Sequence, residues 1–257
     1  MLESTFIHIP GLCSETEKKL WQAGCRSWRD LADGLEAFSV GQVEKSVVRS
    51  TLTKSFKSLE KRDGVFFQKG LGLREAWRAY PEFKDSVLYL DIETDGGQSG
   101  NSITTIGCYD GVDFRCFVKG QDLQEFPEYA SNFAMVVTFY GANFDLPMIE
   151  KRFSDLRFRQ LHLDLCPTLR QLGIGGGLKK IEKQLGICRG EDTDGLGGLD
   201  AIRLWRRYST LGDDQALETL IAYNREDVVN LEYLAGYAYQ HLKERTFRWE
   251  ESEPSSS

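Results

Sequence analysis

The side chains best suited to chemistry lie in three separated segments of an acidic chain. The first is VLYLDIETDG, residues 87–96, where Asp91 and Glu93 follow a short apolar run. Side chains on a strand alternate faces, so the two carboxylates point one way while Leu90 and Ile92 point the other. Like charges at the end of an apolar strand repel, and burying them uncompensated is costly. A hard divalent cation, Mg²⁺ or Mn²⁺, compensates through oxygen ligands and keeps positions open for a substrate phosphate. Alone, the fragment also describes a strand ending in a solvated acidic turn. The second segment, GANFDLPMIEKRF, puts Asp145 past a Gly-containing turn at a helix start, where an Asp also serves as an N-cap. The third is Tyr223-Asn224-Arg225-Glu226-Asp227. Tyr223 and Asp227 are i and i+4 on one helix face, level with an apolar stripe through Val228, Leu231 and Leu234. A surface Asp beside a packed Tyr would read the same way.

The elements that must position these groups follow from patterning. Residues 1–60 read as short helices at 14–23, 27–33 and 39–60, and 61–86 as an aromatic connector. From Val87 onward, strands at 87–92, 103–109, 113–119, 135–140 and 161–164 alternate with helices. These helices fall at 122–131, 146–153, 167–172, 178–185, 197–207 and 214–241, the last with a break near Tyr223. Asp110-Gly111 marks a hairpin between the second and third strands. The expected architecture is an α/β mixed sheet flanked by helices over 87–245, a small all-helical domain over 1–60, and a disordered polar tail, 246–257. Among 257 residues, 32 basic against 39 acidic side chains give a net charge of −7. That balance excludes a generally basic nucleic-acid binder but not an enzyme whose site is itself acidic. No run approaches the roughly 18 apolar residues of a membrane span, and MLESTFIHIP lacks the features of a signal peptide, so a cytoplasmic protein away from membranes is expected. The six cysteines form no CxxC pair, which argues against structural zinc and for reduced, mostly buried thiols.

Strand DxE, an Asp after a later strand and YxxxD on a late helix together resemble the ordered pattern of the DEDD exonuclease superfamily on a ribonuclease H-like fold. The position five before the last Asp, His in the other branch, is Ala222, so the chain resembles the tyrosine branch. FIHIPGL, AWRAYPEF, LHLDL, GGLKKIEKQLGICR, DAIRLWRRY and YNREDVVNLEYL extend this. Together they are similar to the prokaryotic YprB-type ribonuclease H-like exonuclease-domain family over nearly the whole chain. The resemblance implies a two-metal 3′–5′ exonuclease acting on single-stranded or frayed 3′ ends of nucleic acid. Asp91, Glu93, Asp145 and Asp227 would hold two Mg²⁺ or Mn²⁺ ions, and Tyr223 would orient the attacking water. A phenol, with an ordinary pKa near 10, suits positioning better than proton abstraction. Relatives place an Asn four or five residues before the second-motif Asp, where this chain has Gly141 and Tyr140. A helicase or repair protein is the implied partner class. DNA versus RNA and the oligomeric state stay open, as do a structure-specific endonuclease and a non-catalytic nucleic-acid-binding adaptor.

GIGGGLKKIEKQLG opens a short helix with Lys179, Lys180 and Lys183, a positive island where a nucleic-acid backbone would run. Asp164, after the last strand, either supports the metal cluster or caps the next helix, and capping fits its position better. IPGLCSETEKKLWQAGCRSW resembles a helix-hairpin-helix element, with Cys13 in place of the usual second glycine of its turn.

Overall fold

The computed structural model describes residues 1–190 and 192–247; the expected tail lies outside them from residue 248 on. Five strands form one sheet: β1 (Val87–Thr94), β2 (Ile103–Tyr109), β3 (Phe114–Val118), β4 (Met135–Thr138) and β5 (Leu161–Asp164), in the order β3-β2-β1-β4-β5. The first three are antiparallel, and β4 and β5 run parallel to β1.

The helices are α1 (Ser14–Gln22), α2 (Trp28–Asp33), α3 (Lys45–Glu60), α4 (Gly64–Glu75), α5 (Tyr80–Phe83), α6 (Phe126–Ala130), α7 (Asp145–Arg152), α8 (Leu165–Arg170), α9 (Leu178–Gln184), α10 (Gly198–Leu211) and α11 (Asp214–Thr246). Several ends have visible causes. Asp213 accepts the Ala216 N–H to start α11, and Gly212 closes α10 in the left-handed conformation. Four expectations shift. The connector 61–86 is largely helical, with α4 capped by Asp63 and distorted at Gly72. The helix expected from residue 39 starts only at Lys45, because Gly41 turns left-handed. The strand expected to reach Tyr140 ends at Thr138, since Tyr140 itself takes a φ of 69°. The break expected near Tyr223 is absent: α11 runs 33 residues with its apolar stripe continuous.

The sheet has two different faces. Leu88, Leu90, Ile92, Ile106 and Val136 pack against α6 and α7 through Phe126, Ala130, Leu146 and Ile149. Val87, Tyr89, Met135, Val137, Leu161 and Leu163 face the other way, toward Val228, Leu231, Leu234, Ala235 and Ala238 of α11. This second layer continues without interruption into Leu2, Phe6, Trp28, Phe67 and Trp77 of the N-terminal helical region. A buried ion pair fastens that region: Arg78 donates to Glu17 at 2.8 Å, and Glu17 also accepts the Phe6 N–H at 2.6 Å. No helix among the described residues is long and apolar enough to cross a membrane. All six cysteines are unpaired; Cys25, Cys108 and Cys166 are buried, Cys116 half-buried, Cys13 and Cys188 exposed.

Candidate active site

Strand alternation puts Asp91 and Glu93 on the face of β1 that α11 covers, with Leu90 and Ile92 in the opposite layer. Helix α11 crosses there and supplies Asp227. Carboxylate oxygens of Asp91, Glu93 and Asp227 all lie within 4.8 Å of one another. Asp145 approaches from the start of α7. It does not cap its own helix: its Oδ1 accepts the Ile92 N–H of β1 at 3.1 Å, just where β1 has outrun its pairing with β4. The second-motif acid is thus tied to the strand that carries the first motif.

An open cleft next to the acids is lined by Asp91, Glu93, Phe139, Gly177, Leu178, Lys179, Lys180, Tyr223 and Asp227. Of the lysine island, Lys179 and Lys180 belong to this cleft. Lys179 Nζ donates to the Tyr223 hydroxyl at 2.6 Å and also bonds the Leu196 carbonyl. Lys183 lies one turn on, exposed, 3.8 Å from Asp194, and lines a neighbouring hollow. Asp164 stands behind the site and supports it at one remove. It caps α8 through the Cys166 N–H and accepts the Tyr140 and Ala142 N–H groups at 2.8 and 3.1 Å, fixing the turn that leads to Asp145. Tyr140, one of the two positions at which the resemblance implies an Asn, is half exposed beside that turn.

Two participants are additions. Asn224 is fully buried and donates from Nδ2 to Asp91 Oδ2 at 2.9 Å. Gly107 on β2 makes room for it, since a Cβ there would fall 2.2 Å from Asn224 Oδ1. A signal existed: Asn224, Val228, Leu231 and Ala235 share one helical stripe, so a polar residue heads an apolar row. Arg189, which bonds Asp227 and Glu182, comes from an irregular segment with no periodicity to read.

The electrostatics are those of crowded acids. Burial, then Asp145, Asp227 and Glu93, hold Asp91 well above the ordinary carboxylate range. Burial and Asp227 push Glu93 up to about 8. Burial pushes Asp145 up to about 7 against the pull of the Ile92 N–H. Asp227 is also raised by burial, with Arg189 pulling the other way. Tyr223 is raised by burial and by the charges of Asp227, Glu93 and Asp91, so its phenol keeps its proton. Two organic cations do not neutralise such a cluster. Its all-oxygen donor set, four carboxyl groups crowded beside only Lys179 and Arg189, fits one or more hard divalent cations whose binding would replace the retained protons.

The sequence matches a family model of the RNase H superfamily, RNase_H_2, over residues 88–239, more than half of the chain. The chain belongs to the RNase H superfamily, and its sheet and flanking helices are the RNase H-like domain that membership requires. Membership points to nuclease chemistry on nucleic acid. No curated protein and no solved structure matches the chain.

Proposed function

We propose that the chain is a metal-dependent 3′–5′ exonuclease that hydrolyses phosphodiester bonds at single-stranded or frayed 3′ ends. The observation that supports this most is the convergence of Asp91 and Glu93 from β1 with Asp227 from α11 beside a cleft carrying a tyrosine and two lysines. Asp91, Glu93 and Asp227, with Asp145 behind them, would hold two Mg²⁺ or Mn²⁺ ions. Such cations supply Lewis-acid stabilisation of charge building on the phosphate oxygens. The protein's own groups do the rest. Tyr223 accepts a hydrogen bond from Lys179, which leaves its own O–H free to donate to the attacking water and orient it. Asn224 holds Asp91. Lys180 and Lys183 offer positive charge to the strand entering the cleft.

The test compares 3′-labelled, 5′-labelled and circular DNA and RNA in Mn²⁺, with an EDTA arm. Stepwise loss of 3′-terminal nucleotides, abolished by EDTA and restored by Mg²⁺ or Mn²⁺, is expected. Cleavage of circles would instead indicate an endonuclease, and full activity in EDTA would remove the metal reading altogether.

A further inference from the structure

Beside the acids, the segment between α9 and α10 sends in Arg189, whose side chain is only 5% exposed. Two of its three nitrogens, Nε and Nη2, are hydrogen-bonded, while Nη1 lies 3.9 Å from the Glu226 carboxylate. Nε and Nη2 donate to the two oxygens of Glu182 at 2.8 Å each, a bidentate pair, and Glu182 is itself buried on α9. Asn230 of α11 donates to the same Glu182 from one turn past Asp227, at 2.9 Å. From this clamp Nη2 also donates to Asp227 Oδ1. Three parts of the chain, α9, α11 and the 186–190 segment, thus lock one guanidinium, and the guanidinium takes one oxygen of Asp227 and leaves the other.

We propose that Arg189, clamped by Glu182, is a positioning residue that fixes the Asp227 carboxylate in the orientation that holds a divalent cation. This rests on the reading of Asp227 as a cation ligand. The charge of Arg189 alone would work against a cation nearby; its fixed, two-sided hydrogen bonding works for it, because a ligand held in place loses no rotational freedom on binding. A planar fork can bond Glu182 twice and Asp227 once, whereas a lysine presents a point charge and cannot span both. Geometry and charge therefore predict opposite results.

Mn²⁺ titration followed by electron paramagnetic resonance, without nucleic acid, reads the difference. Arg189→Lys keeps a cation against Glu182 and loses the fork. Its Mn²⁺ affinity should weaken about tenfold or more, and its kcat should fall by a similar factor with KM for an oligonucleotide nearly unchanged. Arg189→Met combined with Glu182→Met removes both members of the bidentate pair together, so Glu182 is not stranded as a buried charge. It should weaken Mn²⁺ binding likewise at an unchanged melting profile. Equal or tighter Mn²⁺ binding in these variants would overturn the proposal and leave Arg189 a structural ion pair or a competitor of the metal. Asp227→Asn separates the two failures. If it binds Mn²⁺ like wild type, the ligand reading itself is wrong; if it loses Mn²⁺ while the Arg189 variants do not, only the role of Arg189 falls.

Discussion

Asp91 has acids on three sides and one neutral partner, the Asn224 amide, which would bond an asparagine there as readily as an aspartate. Asp91→Asn should therefore abolish cleavage yet raise the melting temperature of the metal-free protein, read by calorimetry in EDTA. A lower melting temperature would make Asp91 structural. The same crowding fixes a pH dependence. With Glu93 held up to about 8 and Asp145 to about 7, folding retains protons that the unfolded chain would release near the ordinary carboxylate range, about 4. Metal-free stability should fall as pH rises from that range through about 8. Mn²⁺ binding expels those protons, so affinity should climb across neutral pH by up to about tenfold per unit for each proton released. A flat affinity profile would show that these acids do not meet the ion. At Tyr223, Phe keeps the ring and removes one hydroxyl. Single-turnover cleavage at saturating Mn²⁺ should drop by about 10²–10³ if that hydroxyl orients the water, with substrate binding barely moved. A loss below about threefold would assign the ring to packing.

Elements set what the sequence could disclose. The shared face of Asp91 and Glu93 was legible because strand alternation is local, and Tyr223 with Asp227 because helical spacing is local. The end of β4 was not, because the turn at Tyr140 is held by Asp164 from the next strand. Nor was Arg189, whose partners lie on two helices and whose own segment has no period. The helical connector was hidden by its glycines, one of which does distort α4. The element least suspected from sequence is β2, whose Gly107 carries no chemistry. Gly107→Ala should nonetheless cut activity strongly, since the added methyl displaces Asn224 from Asp91; unchanged turnover would make Asn224 dispensable. For the lysine island, Lys179 is committed to Tyr223, so the clean electrostatic probe is Lys180→Ala with Lys183→Ala. The slope of log affinity against log salt should flatten by about 0.7–0.9 for each lost phosphate contact on a single or double strand. An identical slope would return both lysines to the solvated surface.

For the whole molecule, the N-terminal helices and the sheet share one apolar layer, and a buried ion pair, Glu17 with Arg78, ties α1 to the segment that leads into β1. Burial raises the Glu17 carboxyl against the pull of Arg78. Arg78→Met should cost about 3–5 kcal/mol of stability by stranding Glu17, measured by urea unfolding, while Mn²⁺ affinity at low temperature stays as in wild type. A loss under about 1 kcal/mol would mean that the region is held by apolar contact alone. Helix α11 carries this union into the site. At about 1.5 Å per residue its 33 residues span roughly 50 Å, with Tyr223 and Asp227 inside its first half and the N-terminal layer gripping the second. The backbone under Tyr223 and Asp227 therefore lies more than two turns from either helix end, where fraying concentrates. In deuterated water the amides of residues 223–227 should be among the last to exchange, on the clock of global unfolding. On that clock the acids come apart only when the entire chain lets go.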